Sequence, residues 1–124
     1  MSEPLGLLLS DDLLFTSRIT GVGRDLGLTV RAARSAEALE ALARQQAPTC
    51  VLLDLANPGL SVPDLVRRLG EACAARPFVV AYGSHIDAAG LRAAREAGCD
   101  LVLPRSAFVE QLPHRLAEWL AGRR

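Results

Sequence analysis

This chain of 124 residues, half of them apolar, is long enough to bury a hydrophobic core and predicts one domain over residues 1–124. Its 14 basic and 14 acidic residues cancel, so no basic field favours nucleic acid or a membrane surface. The apolar run 5–9 is too short for a signal peptide or a bilayer span. Cys50, Cys73 and Cys99 lack metal-ligand spacing, which indicates reduced thiols in a cytoplasmic protein.

All 14 basic residues are arginine. The absence of lysine from the sequence excludes a phosphate-binding loop of the Walker type and an enzyme that forms a Schiff base. A small nucleotide or flavin binder would need a glycine-rich turn after a strand. Gly21 and Gly23 fall inside a helical pattern instead, which disfavours that class.

The first half of the chain alternates strand and helix patterns. An apolar run that ends at Ser10 predicts a central strand, and Asp12 is a plausible cap for the helix after it. The predicted elements are a strand over 5–9, a helix over 13–26, an edge strand over 28–32 and a helix capped by Ser35 that runs through Gln45. The residues predicted to face the core are Leu14, Ile19, Val22 and Leu26, then Ala38, Leu39 and Leu42.

The segment 50–54 has an unbroken apolar run that leads directly into Asp54. Pro48 precedes it and Asn57-Pro58-Gly59 follows, so turns bound a strand buried on both faces. Asp54 then lies at the carboxyl end of a central strand, where ligands bind in open α/β sheets. A carboxylate that only caps a turn remains the alternative.

The second half repeats the alternation. It contains a helix opened by Asp64, a strand over 78–82, a helix from Asp87 to Ala97, a strand over 101–103 and a helix over 108–120. Leu65, Val66 and Leu69 are predicted to be buried, and Pro113 to kink the last helix or mark its start. Five alternations predict an α/β domain with a parallel sheet covered on both faces. The short Arg-Arg tail predicts no output domain.

Acidic residues follow two of the predicted central strands. If those strands are neighbours, Asp11, Asp12 and Asp54 converge in one cleft. Their mutual repulsion would be relieved by magnesium, and the site would suit phosphoryl transfer onto Asp54. Alternatively, Asp11 and Asp12 only cap the first helix and favour its dipole.

These features together resemble the response-regulator receiver family. The marks are the acids after the first strand, Asp54 in Leu-Leu-Asp-Leu before Asn-Pro-Gly, and Ala-Gly-Cys-Asp at 97–100. The resemblance implies a doubly wound, flavodoxin-like sandwich with strand order 2-1-3-4-5. It also implies Asp54 as the acceptor of a phosphoryl group from a histidine kinase or phosphotransfer protein. Magnesium would be held by Asp11 or Asp12, Asp54 and the carbonyl of Ala56.

The switch positions depart from the family. Tyr82 and, two residues on, Ser84 stand where the family has a single Ser or Thr, and Arg105 stands where it has Lys. Val102 replaces the switch aromatic, and Ser106 replaces the proline after the Lys. Tyr82 could cover the acidic pocket or point outward as a partner surface.

Two non-enzymatic functions follow from this resemblance. Either Asp54 is phosphorylated and signals to an unknown downstream protein through a surface switch, or the domain is a phosphorylation-independent protein-binding module. His85 is interpreted as a loop residue, because no second metal ligand accompanies it. A homodimer is left open.

Overall fold

The computed structural model describes residues 3–123, so residues 1, 2 and 124, the last of which ends the Arg-Arg tail, lie outside it. Five strands alternate with five helices over this range. In chain order they are β1 (Leu5–Leu9), α1 (Leu13–Asp25), β2 (Thr29–Ala33), α2 (Ala36–Gln46), β3 (Cys50–Asp54), α3 (Val62–Ala72), β4 (Phe78–Gly83), α4 (Ala88–Glu96), β5 (Leu101–Pro104) and α5 (Arg105–Leu120).

The strands form one parallel sheet in the order β2-β1-β3-β4-β5. This confirms the predicted doubly wound fold and its strand order. Every residue of β3 is buried, which places Asp54 at the end of the middle strand. β2 lies at one edge and is mostly exposed, in agreement with the edge position predicted for it.

The sheet separates two hydrophobic cores. Alternate residues of β1 and β3 enter opposite cores, because successive side chains on a strand point to opposite faces. Leu7, Leu9 and Leu53 pack with α2, α3 and α4. Leu8 and Leu52 pack with α1 and α5 on the other face. Each fully buried leucine contributes about 2 kcal/mol of transfer free energy, so both layers of helices are held by the same strands.

Three helices begin at the predicted cap residues. The side chains of Asp12, Ser35 and Asp87 accept hydrogen bonds from the backbone N–H groups of Phe15, Ala38 and Gly90. Each bond satisfies one of the unpaired donors in a first helical turn. The starts of α1, α2 and α4, which follow β1, β2 and β4, are therefore set by cap residues that the sequence identifies.

The buried face of α1 agrees with the prediction only in part, since Ile19 is buried and Val22 is partly buried as predicted. Phe15, Ile19 and Gly23 face the core, whereas Leu14 is 87% exposed and Leu26 is 45% exposed. A stripe spaced by four residues points toward α5 and β2, and Leu14 lies outside it. Gly23 is needed there, because a Cβ atom at this position would lie 3.1 Å from Val30 Cγ2.

α2 and α3 bury most of the residues predicted to face the core. Leu39, Leu65 and Leu69 are fully buried, while Ala38 is exposed and Ala43 takes its place inside. Leu42 and Val66 are partly buried against the same core. β2 is shifted by one residue from its predicted range, and β4 and β5 each extend one residue further.

α5 begins at Arg105, three residues before its predicted start, and Pro113 lies inside it. Phe108, Leu112 and Leu116 form a buried stripe that continues past the proline, and Pro113 itself is exposed. Packing on both sides of Pro113 therefore offsets the backbone hydrogen bond that proline cannot donate. Of the two alternatives predicted for Pro113, the late helix start was therefore wrong.

The cysteine prediction is confirmed in that Cys50, Cys73 and Cys99 are all free and buried. Burial raises the pKa of the Cys99 thiol to about 11, and it raises the pKa values of Cys50 and Cys73 as well. None of these thiols is activated by its surroundings. Between residues 3 and 123 no helix is both long and apolar enough to cross a membrane.

Candidate functional site

The candidate site is centred on Asp54, the last residue of β3. Its register partner on β4 is Tyr82. On the other side β1 pairs Leu9 with Leu53, which brings Ser10 beside Asp54. Residues in register on parallel strands project from the same face of the sheet. Ser10, Asp54 and Tyr82 therefore form a row at its carboxyl edge.

Both oxygens of the Asp54 carboxylate are engaged. Ser10 Oγ donates a 2.7 Å hydrogen bond to Asp54 Oδ2, and the Ala56 N–H donates a 2.9 Å bond to Oδ1. The guanidinium of Arg105 lies 3.8 Å from Oδ1 and provides an opposite charge. The side chain of Asp54 is only 2% exposed. A carboxylate this covered has little room to act as a nucleophile without a rearrangement of its neighbours.

The predicted gathering of three carboxylates does not form. Asp12 is the N-cap of α1, and Asp11 is exposed to solvent. In the part of the chain that the structure describes, no group of three or more His, Cys, Asp and Glu side chains is placed to hold a metal ion. Asp12 thus has the helix-capping role that the sequence left open for the two acids.

The residues around Asp54 do not fit the magnesium site that the resemblance implies. Magnesium takes oxygen ligands in octahedral geometry, most often one or two carboxylates with water and phosphate oxygens. Here a serine hydroxyl meets Asp54 in place of a second carboxylate, and the cation nearest to Asp54 is Arg105. Ala56 lies beside the carboxylate as predicted, but the contact that joins them is its N–H.

Tyr82 is fully buried, which rules out the second of its two predicted alternatives, an outward position on a partner surface. Its ring stacks on Phe108 at a centroid distance of 4.2 Å and lies 5.2 Å from the ring of Phe15. Among the described residues its hydroxyl has no hydrogen-bond partner. Burial, and after it the negative charge of Asp54, raise the pKa of Tyr82.

Arg105 is held at the start of α5 by two interactions. Its guanidinium carbon lies 4.9 Å from the centre of the Phe15 ring, within the range of a cation–π contact, and its NH2 group faces Asp54. Phe15 itself packs on Tyr82 and Phe108. The aromatic cluster thus supports the arginine that neutralises the carboxylate.

A cleft of about 470 Å³ opens beside these residues, lined by Ala56, Ser84, His85, Arg105 and Ser106. Ser84 and His85 are exposed in the loop after β4, which agrees with the interpretation of His85 as a loop residue. Ser84 Oγ accepts a hydrogen bond from the N–H of Ile86. Of the three switch positions, Arg105 contacts Asp54, Tyr82 lies beside it in the core, and Ser84 lines the cleft.

Ser10 is the site residue that the sequence analysis missed. Its position in the sequence could have identified it, because Ser10 directly follows the apolar run of β1 just as Asp54 follows that of β3. The predicted neighbours of Asp54, Asp11 and Asp12, lie one and two residues further along the chain than Ser10. Val102 is buried in the core and contributes no aromatic ring.

The motif at residues 97–100 has a structural role. Asp100 accepts hydrogen bonds from the backbone N–H of Val79 at 2.8 Å and from the guanidinium of Arg76 at 2.9 Å. Gly98 has a φ of +102°, a conformation that a residue with a side chain rarely adopts. The motif therefore joins α4 to the start of β4 and does not contribute to the Asp54 site.

Solved structures with this fold are numerous. The signal receiver domain of a response regulator from Bermanella marisrubri superposes with a TM-score of 0.81 at 24% identity, covering 97% of this chain and 99% of that one. The receiver domain of NtrX from Brucella abortus gives 0.78 at 21% identity, with 94% and 98% covered. The receiver domain of the Francisella response regulator 1452 gives 0.78 at 17%, with 96% and 98% covered. No family model and no curated protein matches the sequence.

The chain therefore has the fold of response-regulator receiver domains over nearly its whole length. The resemblance first noted in the sequence motifs is confirmed at the level of the fold. At these identities the fold alone is established, and the chemistry of the site has to be argued from its own residues.

Proposed function

We propose that this protein is an atypical receiver domain in signal transduction that binds a protein partner without being phosphorylated on Asp54. The observation that carries the proposal is the engagement of Asp54, whose two oxygens accept hydrogen bonds from Ser10 and Ala56. Arg105 adds a fixed positive charge 3.8 Å from Oδ1. The carboxylate then stabilises the carboxyl edge of the sheet and is not a free phosphoacceptor.

Two further features support a constitutive module. The position of the family's small hydroxyl residue is taken by Tyr82, whose ring is fixed between Phe15 and Phe108. A phenol packed in this way cannot approach a phosphoryl group on Asp54 unless the aromatic cluster repacks. Arg105 replaces the family's lysine, and its planar guanidinium does not offer the compact charge of an ammonium.

The surface around the site suits a protein partner. Leu13 and Leu14, at the start of α1, are 63% and 87% exposed, and Ile86, in the loop after β4, is 83% exposed. Leu13 and Leu14 belong to the first turn of α1, and Ile86 to the loop between β4 and α4, so all three follow the carboxyl ends of strands. The adjacent pair Leu13 and Leu14 supplies exposed apolar area that a protein partner would cover. The proposed role is non-enzymatic and cytoplasmic, with a kinase, a phosphotransfer protein or a downstream protein as partner.

The phosphoacceptor function remains the second candidate, because the cleft of about 470 Å³ lies beside Asp54 and is lined by Arg105, Ser84 and Ser106. A phosphodonor could enter there if the Ser10 hydrogen bond opened. This function also accounts for a carboxylate at the end of the central strand.

The test is intact mass spectrometry after incubation with acetyl phosphate and magnesium. Wild type and Asp54→Asn are each expected to keep their own unmodified mass, while a receiver domain with all of the family's pocket residues gains one phosphoryl group under the same conditions. A gain of mass by wild type that Asp54→Asn abolishes would replace the binding module by the phosphoacceptor. Addition of the beryllium fluoride mimic should likewise leave the amide NMR spectrum of wild type unchanged.

A further inference from the structure

We propose that Arg105 is a built-in counter-cation for Asp54 and that Arg105 and Ser10 together exclude divalent cations from this site. The proposal concerns the ion selectivity of the carboxyl edge. It goes beyond the proposed function, since a domain that bound a divalent ion could still act as an unphosphorylated binding module.

The first step of the argument is charge compensation. A carboxylate that is 2% exposed requires both hydrogen bonds and an opposite charge. Ser10 and Ala56 supply the two donors, and Arg105 supplies the charge. Asp54 is therefore satisfied by groups from β1, the turn after β3 and the start of α5, without a bound ion.

The second step concerns the fixed position of Arg105. Its guanidinium rests on the ring of Phe15 at 4.9 Å, and that ring is packed in the core against Tyr82. A guanidinium keeps its charge at any pH the fold tolerates, so the group that lies 3.8 Å from Oδ1 remains positive. A divalent cation at Asp54 would be repelled by it at short range.

The third step concerns the direction of the Ser10 hydrogen bond. Ser10 Oγ donates to Asp54 and accepts from the N–H of Asp12 at 3.2 Å. Its hydroxyl is used on both sides and presents no anionic oxygen to a cation. Asp12 caps α1 through the N–H of Phe15 and Asp11 is exposed, so in the register with Asp54 the position beside it belongs to Ser10 and not to an acid.

The experiment uses Mn²⁺ as the probe and the full chain as the protein. Binding is followed by water-proton relaxation, and stability by thermal unfolding at constant ionic strength. Wild type should show neither a relaxation enhancement nor a shift in Tm up to about 10 mM Mn²⁺. The double variant Ser10→Asp, Arg105→Gln should bind Mn²⁺. At a free Mn²⁺ concentration of about ten times Kd, its Tm should rise by roughly 5 °C. Addition of Asp54→Asn should abolish this gain.

Two controls keep the result interpretable. Arg92→Gln removes an exposed arginine of α4 and should leave Mn²⁺ binding as weak as in wild type. Arg105→Gln alone is the milder change if the double variant fails to fold, and it should bind Mn²⁺ measurably more tightly than Arg92→Gln does.

The proposal is overturned if wild type binds Mn²⁺ at millimolar concentration and Asp54→Asn removes that binding. It is also overturned if the folded double variant, or Arg105→Gln when only that variant folds, binds no more Mn²⁺ than Arg92→Gln. Neither outcome decides whether Asp54 accepts a phosphoryl group, which the acetyl phosphate experiment measures separately.

Discussion

Ser10 donates a 2.7 Å hydrogen bond to Asp54 between two neighbouring strands whose residues are 44 positions apart in the chain. Ser10→Ala leaves one oxygen of a buried carboxylate without a donor, so we expect a loss of about 1–3 kcal/mol in the free energy of unfolding. Urea unfolding of wild type and variant measures this difference in the free energy of unfolding. Ser17→Ala, at an exposed position of α1, is the control and should change stability by less than about 0.5 kcal/mol. Equal effects of the two variants would mean that the Ser10 bond does not stabilise the fold.

Tyr82 combines a well-packed ring with a hydroxyl that has no hydrogen-bond partner within residues 3–123. Tyr82→Phe keeps the stack on Phe108 and removes the buried polar atom, so stability should stay equal or rise by up to about 1 kcal/mol. Tyr82→Ala should lose about 3–5 kcal/mol because it leaves a cavity in the core. Chemical unfolding of both variants is the measurement. A loss of more than about 1 kcal/mol in Tyr82→Phe would reveal a hydroxyl that does have a partner.

Alkaline pH should destabilise the protein partly through Tyr82. Burial and the Asp54 charge raise the pKa of its phenol in the folded state, whereas an unfolded tyrosine titrates near pH 10. The folded state thus favours the neutral phenol. Above about pH 10 the unfolded tyrosine ionises first, so the free energy of unfolding falls by about 1.4 kcal/mol per pH unit. Below about pH 10 this effect is absent. Unfolding curves from about pH 8 to about pH 11 should fall more steeply for wild type than for Tyr82→Phe.

The buried thiols provide the background to this comparison. Burial also raises the pKa of Cys99, to about 11, and it contributes equally to wild type and to Tyr82→Phe. Tyr82 is the only tyrosine, so the tyrosinate absorbance titrates a single group. Identical pH profiles for the two proteins would show that Tyr82 does not contribute to alkaline unfolding.

Asp100 should stabilise the fold more than the exposed ion pairs do. It accepts from the Val79 N–H and from Arg76, and its side chain is 25% exposed. Asp100→Ala should lower the free energy of unfolding by about 1–2 kcal/mol, most of it from the buried backbone donor. Glu71→Ala, which removes a partner of Arg67 with both side chains 60% exposed, should change it by less than about 0.5 kcal/mol. If the two variants lost similar amounts of unfolding free energy, Asp100 would contribute no more than an exposed ion pair does.

Leu14 offers a test of surface against core. Because it is 87% exposed, Leu14→Gln should leave stability within about 0.5 kcal/mol of wild type. Leu39 is fully buried, and Leu39→Ala should lose about 2–5 kcal/mol. Thermal unfolding of the two variants measures this. If Leu14→Gln lowered the free energy of unfolding as much as Leu39→Ala does, Leu14 would have to be buried, as the sequence pattern predicted.

Most of the fold could be predicted from the sequence because the signals were local and repeated. Unbroken apolar runs marked the central strands, and Asp12, Ser35 and Asp87 marked helix starts that the structure confirms. The inward face of α1 was mispredicted because Gly23 packs closely on Val30, and a hydrophobic pattern gives no weight to glycine. The start of α5 was predicted three residues late because its first buried residue is Phe108, whereas the helix begins at Arg105.

The site was harder to predict because its contacts join distant segments. The position of Asp54 followed from the strand pattern, but its partner depended on the register between β1 and β3. A shift of one residue decides whether a serine or an aspartate meets it, and sequence alone does not fix that shift. The role of Arg105 was expected from its position, whereas its contact with Phe15 depends on tertiary packing.

The aromatic stack gives the molecule an optical property of its own. Trp119, the single tryptophan, lies 5.6 Å from Phe108, which in turn stacks on Tyr82 next to Asp54. A rearrangement near the carboxylate that moves Tyr82 would alter the surroundings of the indole at the far end of α5. Its emission can therefore follow events at Asp54 in real time without an attached dye.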